Sequence, residues 1–463
     1  MIFLDPLFAV FCLTTILIAQ FSPRGLAPLA LSLGVSLLFM LLFLGPVQAA
    51  ILLGFSAIGF AGLQLVARGY RAGLAIGVGG LLLLFIVLKK YSFLPEALTP
   101  AHLPVAIGLS YVLFRLIHLL VEHGADADTR PGLLRHLGYT LSAHALVSGP
   151  FQRYDEYEEI RERATRHEPL PAMARFVDGL LKVVIVAPLI QGLHAALERH
   201  GAGPLGYAVL LVAALVWVVY MYFNFSGYMD IVIGWARLCR LDLPENFDRP
   251  LLANGFHEFW SRWHMTMTHW FKTHLFNPLM IAFGRRFAPT RRMAMICSSL
   301  AFFFTFLLVG AWHGPTTPFL ICGLLLGLGA TANQISRETA RGRKKPAAPG
   351  AGARLLTLLG ASLTFLYISV AVSPFWLDQR EFLGLLASTL KPVNLLVLLP
   401  STLIGTAIAL LVLRPIESRL HVVGQAAAPV LQSAPLIALR VVVLALFILG
   451  FGNAAPDFVY QGI

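Results

Sequence analysis

Charge is what this sequence has least of. Only 13% of its 463 residues are Asp, Glu, Lys or Arg, while 57% are hydrophobic types; an average soluble domain is about a quarter charged. Mean hydropathy is +0.76. This composition excludes a disordered chain, a collagen and an ordinary water-soluble enzyme. Acidic residues are the scarcer sign, 23 against 35 Lys and Arg, leaving a formal charge of +12. In a soluble protein that excess points to nucleic acid. Here the basic residues fall mostly between apolar runs, where they orient membrane spans, so no nucleic-acid partner is expected. Cysteine is sparse as well. Cys12, Cys239, Cys297 and Cys322 have neither disulfide nor zinc spacing and read as small apolar fillers; no metal site is expected. A phosphate-binding Gly loop, a Gly-x-Ser-x-Gly elbow and a metalloprotease helix are all missing. No internal repeat appears, which counts against an inverted-repeat transporter.

What is present is apolar runs. They lie at Leu7–Ile18, Leu26–Leu44, Val47–Val66 and Leu74–Leu88, more weakly at Ile107–Val121 and Leu180–Leu193, and again at Leu205–Phe225, Met293–Val309, Phe319–Thr331, Leu355–Val372, Val393–Leu413 and Leu436–Phe451. The first has no positive stretch before it and no cleavage pattern after it, so it reads as a retained span. At roughly 20 residues per span, the length has room for about 10 to 13 transmembrane helices. The expected fold is an all-α, polytopic integral membrane protein with additional re-entrant or interfacial helices. It is read as one domain over residues 1–463: N-terminal spans at 1–100, a catalytic core at 101–334, a basic cytoplasmic loop at 335–354 and C-terminal spans at 355–463.

Charge orients the spans. The segment Ser336–Arg354 carries Arg337, Arg341, Arg343, Lys344, Lys345 and Arg354 among Pro, Gly and Ala, as a flexible cytoplasmic loop does. Arg285, Arg286, Arg291 and Arg292 form a second basic cluster. With both in the cytoplasm, the turn Gly310–Pro318 falls towards the outer half of the membrane. The charged stretch Asp155–Glu168 belongs in water. The stretch Asn254–Pro278 is aromatic and polar together, and Trp260, Trp263, Met267, Trp270 and Phe271 recur at helical spacing, as on an interfacial or cavity-lining helix.

The sharpest chemical feature is Gly310-Ala311-Trp312-His313-Gly314, which ends an apolar run. A polar group at membrane depth is costly and tends to face a cavity and to carry function, although a histidine bonded to a helix-end carbonyl is the plainer reading. Gly310 and Gly314 favour the functional one, since small residues let a substrate approach closely. His264, in Trp260-Ser261-Arg262-Trp263-His264-Met265-Thr266, is either part of an interfacial aromatic belt or the second half of a histidine pair around one site. A haem or copper site lacks bis-histidine spacing on one span. Arg115, His118, His194, Asn224, Asp230 and Arg237 are further buried polar residues, with Arg115 and Asp230 expected to pair inside the bundle. His123, Asp126 and Asp128 read as solvated loop residues.

At these residues the chain resembles the membrane-bound O-acyltransferase family, and more narrowly the bacterial branch holding alginate O-acetyltransferase and the D-alanyl transferase of teichoic acid. Ser148-Gly149-Pro150-Phe151-Gln152-Arg153-Tyr154 is similar to the branch's Gly-Pro-hydrophobic-x-Arg loop. Phe225-Ser226-Gly227-Tyr228-Met229-Asp230 resembles its Phe-Ser-Gly-Tyr segment, and Pro244-Glu245-Asn246-Phe247-Asp248-Arg249-Pro250 its Pro-Glu-Asn-Phe block. Phe259-Trp260-x-Arg262-Trp263-His264-x-Thr266 resembles the Trp-His-x-Ser block, and Gly310-x-Trp312-His313-Gly314 the catalytic histidine segment. Phe458-Val459-Tyr460-Gln461 is similar to the branch's aromatic tail. The blocks run in order from about Ile107 to the C-terminus. Asn224 stands where the branch often has Asp, Thr266 where it usually has Ser, and Asn277-Pro278-Leu279 lacks the following Gly-Gly.

The resemblance implies acyl transfer from a thioester to a hydroxyl in a multi-pass protein of the cytoplasmic (inner) membrane, with helices around a central tunnel. His313 and His264 are the implied catalytic residues; Trp263, Trp312, Thr266, Asn246, Asp230 and Arg153 are the implied substrate-binding ones. His313 is expected to act as general base, and His264 to position a substrate or to donate to the oxyanion. No bound cofactor is expected, the acyl thioester (acetyl-CoA or an acyl carrier protein) being a co-substrate that arrives from the cytoplasm. The expected partners are that donor or carrier protein inside, a polysaccharide acceptor or periplasmic transferase outside, and membrane lipid. Acetylation of a secreted or envelope polysaccharide is the favoured activity. The alternatives are D-alanyl transfer from a carrier protein, a polysaccharide or lipid transporter without chemistry, and an inactive scaffold for a periplasmic transferase.

Overall fold

With no water to satisfy backbone groups in a bilayer, a chain this apolar has to close its hydrogen bonds within helices. The computed structural model describes residues 5–21, 26–70, 72–98, 104–163, 168–200, 206–287, 290–340 and 350–451. Of these residues 82% are helical, and none lies in a strand. Among the described residues, seven helices are long and apolar enough to cross a membrane: Pro46–Ala67, Pro169–His200, Gly206–Leu238, Arg291–His313, Thr317–Ala340, Ala351–Ala371 and Asn394–Pro415. Four shorter apolar helices, Pro6–Phe21, Leu29–Leu44, Gly73–Leu88 and Ala434–Gly450, accompany them. Within the seven, the weak run at Leu180–Leu193 widens into the Pro169–His200 helix, and Leu205–Phe225 extends to the 33-residue Gly206–Leu238 helix. The extension carries Asp230 and Arg237, whose charge hides it from a hydropathy window. The run at Ile107–Val121 becomes the Leu109–Glu122 helix, only 14 residues long and buried from Leu109 to Leu120.

The chain folds into two compact units that interleave along the sequence. The first comprises residues 1–181, 227–244 and 437–463, the second residues 182–226 and 245–436.

In the first unit Arg115 is 2% exposed. It does not pair with Asp230. Its guanidinium donates to the carbonyls of Tyr139 (3.3 Å), Thr140 (3.1 Å) and Ala145 (2.7 Å), two of them at the C-terminal end of the Leu133–Thr140 helix, where the helix dipole favours a cation. A buried cation satisfied by three carbonyls avoids a second buried charge. Asp230 accepts instead from Arg175 Nε at 3.0 Å. Gly179 and Gly234 let these helices close up: a Cβ at Gly179 would meet Ile231 N at 2.6 Å, and one at Gly234 would meet Phe176 N at 2.7 Å. Arg153 binds Glu122 at 2.8 Å and Asp155 at 3.4 Å. Asp126 and Asp128 are exposed as expected, but His123 is buried, with Nδ1 3.1 Å from Thr129 Oγ1 and Nε2 3.5 Å from Asp155. The carboxylate and hydroxyl offset the cost of burying the ring.

In the second unit the Arg291–His313 and Thr317–Ala340 helices form an antiparallel hairpin. Gly310 faces Gly323, and a Cβ on Gly310 would lie 2.3 Å from Gly323 Cα. A Cβ on Gly327, one turn further along, would lie 2.8 Å from the carbonyl oxygen of Phe303. Gly323 and Gly327 form a Gly-x-x-x-Gly face of the kind that lets membrane helices approach closely. The glycines beside His313 therefore serve helix packing: Gly310 backs onto Gly323, and a Cβ on Gly314 would strike the Phe319 ring at 2.0 Å. The second helix continues to Ala340, so the basic loop starts later than Ser336; residues 341–349, and the aromatic tail at 458–461, lie outside the described residues.

Candidate active site

The site is built in the second unit by two segments that depart from regular structure. The periodicity of Trp260 to Phe271 predicts one helix, but two short ones form, Phe256–Trp260 and Met265–Phe271, with a break at His264. His264 has φ +45° and ψ +51°, a left-handed conformation costing a non-glycine residue roughly 1–2 kcal/mol. Such strain persists only where the surroundings over-determine it, and here they do. Phe247 pairs with Trp263 in an antiparallel bridge. Asp248 N–H donates to the Arg262 carbonyl at 2.9 Å, and Met265 N–H donates to the Asn246 carbonyl at 3.0 Å. The Pro-Glu-Asn-Phe block is thus a splint laid along the Trp-His block.

Asn246 is the centre of this splint and is 1% exposed. Its Oδ1 accepts from the Thr266 backbone N–H (3.1 Å), the Thr266 hydroxyl (2.8 Å) and His264 Nδ1 (3.2 Å). The backbone N–H can only donate, so the amide must present its oxygen there, and His264 Nδ1 must carry a proton. A neutral His264 therefore offers Nε2 as an acceptor. The oxyanion-donor role expected for His264 needs the imidazolium form; the neutral ring can only accept a hydrogen bond at Nε2. The ring is fully buried and meets Phe225 edge-on at 4.9 Å.

His313 is the last residue of its helix and is 4% exposed. Its ring lies 4.6 Å from that of Trp312 and 5.1 Å from that of Phe375. Trp312 in turn lies 6.3 Å from the His264 ring, so the two histidines flank one indole. Thr266, Trp263 and Asn246 gather on the His264 side. Asp230 and Arg153 belong to the first unit, where each is held in the ion pairs described above. Phe375 was not legible as a site residue: it follows a Ser-Pro turn after a span, and nothing local marks it.

The splint yields a prediction. Asn246→Ala removes the acceptor that orients His264 while leaving both histidines in place. A misplacement of about 1 Å can cost on the order of 10²-fold in rate. Turnover is expected to fall by about that factor with the acceptor KM nearly unchanged, and Asn246→Asp, which retains the oxygen, is expected to recover part of it. Steady-state kinetics on the purified variants checks this; a change confined to KM contradicts it.

The family model for MBOAT, the membrane-bound O-acyltransferase family, matches residues 81–370. Among individual proteins the chain is similar to a teichoic acid D-alanyltransferase of Bacillus subtilis, 27% identical over 51% of this chain and 61% of that one. It is similar to the "Probable alginate O-acetylase AlgI" of Pseudomonas aeruginosa, 27% identical over 52% and 45%. A peptidoglycan O-acetyltransferase of Helicobacter pylori is 30% identical over 36% of this chain and 30% of its own length. The chain thus spans about half the length of the first two relatives. The matched region includes both histidine segments and the splint that joins one of them to the Pro-Glu-Asn-Phe block, and the chain belongs to the membrane-bound O-acyltransferase family.

Proposed function

We propose that this protein transfers an acyl group, acetyl in our reading, from a thioester to a hydroxyl of an envelope or secreted polysaccharide. The observation that carries the proposal is the pair of buried histidines flanking Trp312 in a shell of aromatic rings, in a chain whose relatives bear the names of an alginate O-acetylase and a D-alanyltransferase. His313 takes the proton of the acceptor hydroxyl as its oxygen attacks the thioester carbonyl. The new C–O bond forms, the C–S bond breaks, and the departing thiolate takes up the proton that His313 received. His264 Nε2, oriented by Asn246, accepts from a second, non-reacting hydroxyl of the acceptor and so keeps the reacting one in line. The apolar shell keeps water from hydrolysing the thioester.

The charge pattern supports a direction. Arg291 and Arg292 open the helix that His313 closes, and Arg337 lies near the far end of the next one. With the basic ends in the cytoplasm, His313 lies about 30 Å away along its helix at 1.5 Å per residue. An acceptor from outside and a donor (acetyl-CoA or a carrier protein) from the cytoplasm then meet at His313. The inner membrane is the location this reading requires.

Base-released acid identifies the acyl group. Envelope and exported polysaccharide from cells with and without the protein are treated with mild base, and the acids are identified by mass spectrometry. Acetate is expected to fall in the cells lacking it. A fall in D-alanine instead assigns the carrier-protein reaction, and no change in either overturns the proposal.

A further inference from the structure

The unit that holds the histidine pair also holds an aromatic cluster that the reaction as derived does not use. It comprises His194 of the Pro169–His200 helix, Trp217 of the Gly206–Leu238 helix and Trp376, directly after the Ser373–Phe375 turn. The His194 ring lies 5.0 Å from that of Trp217 and 4.5 Å from that of Trp376, and the two indoles are 6.3 Å apart. His194 is 4% and Trp217 8% exposed; Trp376 is half-buried. His194 Nε2, Trp217 Nε1 and Trp376 Nε1 are all buried and have no hydrogen-bond partner among the described residues.

One such atom is an exception to the rule that buried polar groups are bonded. Three in one cluster point to an absent oxygen. An indole N–H can only donate, whereas a neutral imidazole can accept at Nε2. Two donors and one acceptor match the two lone pairs and single proton of a hydroxyl group. Phe375, the residue before Trp376, is the ring that meets His313 at 5.1 Å, so the chain runs directly from the histidine's neighbour into the cluster.

We propose that His194, Trp217 and Trp376 form a sugar subsite that grips a non-reacting hydroxyl of the acceptor and presents a neighbouring hydroxyl to His313. The inference rests on the acyl-transfer reading for its reaction, and on the three nitrogens for its ligand class.

The full chain in lipid nanodiscs is titrated calorimetrically with a mannuronate hexasaccharide, chitohexaose and maltohexaose. At least one is expected to bind. The Trp217→Phe/Trp376→Phe double variant retains both aromatic rings and loses both donors; it is expected to bind that glycan at least tenfold more weakly. In transfer assays its acceptor KM is expected to rise while thioester hydrolysis without acceptor is unchanged. Should the double variant fail to reach the membrane, His194→Leu serves for the same comparison. Wild-type affinity in these variants overturns the subsite, as does failure of all three glycans to bind the wild type, which leaves ordered water as the missing oxygen. Transfer that persists with unaffected binding removes this proposal alone. Binding that depends on the tryptophans in a protein that transfers nothing removes the acyl-transfer reading and leaves the glycan subsite.

Discussion

Replacing His313 by Ala is expected to lower acyl transfer by about 10²- to 10⁴-fold, the usual contribution of a positioned general base, with the protein still inserted and folded. The expectation of intact folding has a structural basis. His313 is the final residue of its helix, so its loss interrupts no helical turn. Its ring packs against Trp312 and Phe375, and those rings retain partners: Trp312 meets Phe271 and Phe375 meets Phe319. The comparison is base-released acid per unit of membrane-inserted protein, wild type against variant. His313→Gln separates chemistry from transport. It retains a polar side chain of similar reach but has no proton-accepting ring, so ester decoration should fall with polymer export unchanged. Normal ester in either variant removes His313 from the reaction. Loss of export with normal decoration of what remains points to the transporter reading.

The second large effect is expected at Gly310. The atoms a methyl group would strike there are backbone: Gly323 Cα and N, both at 2.3 Å, and the Phe319 carbonyl at 2.6 Å. No rotamer change relieves such a clash, so the two helices must separate. Exchanging glycine for alanine in a helix gains about 1 kcal/mol of propensity; overpacking of this kind costs about 1–3 kcal/mol or more, and the separation also moves His313 one turn away. Gly310→Ala is expected to lower the melting temperature in detergent and to lose most activity, and Gly310→Val to yield little folded protein. Gly360 is the control. It sits inside the Ala351–Ala371 helix with nothing within 4 Å of an added Cβ, so Gly360→Ala should be neutral or mildly stabilising. If Gly310→Ala melts with the wild type, the glycine contact does not hold this hairpin together.

The Gly310 case shows where local reasoning stops. Beside a polar residue at the end of a span, the two glycines read as room for a substrate, but they make room for a neighbouring helix and ring. The difference lies in Gly323 and Phe319, whose approach across the hairpin turn sequence proximity alone does not reveal. Asp230 is similar. An acidic residue in an apolar helix demands a cation, and the sequence offers several; the close approach of the Pro169–His200 helix, through its Gly179 and through Gly234 beside Asp230, brings Arg175, not Arg115, into range.

Some features followed from the sequence by itself. An apolar excess with little charge permits only helices that satisfy their own backbone, and the basic clusters at helix ends set the expected orientation without any tertiary contact. The histidine at the end of an apolar run, and the ordered blocks that mark the family, are local patterns as well. Tertiary structure decided what depends on residues meeting from a distance. The break at His264 overrides a clean helical period because Asn246, 18 residues earlier, supplies a side-chain oxygen and a backbone carbonyl that a continuous helix would leave unmatched. The tautomer of His264 follows from that same oxygen. The cluster of His194, Trp217 and Trp376 joins three separate segments; the sequence marks His194 as buried but neither tryptophan as its neighbour, because only packing brings the three buried nitrogens together.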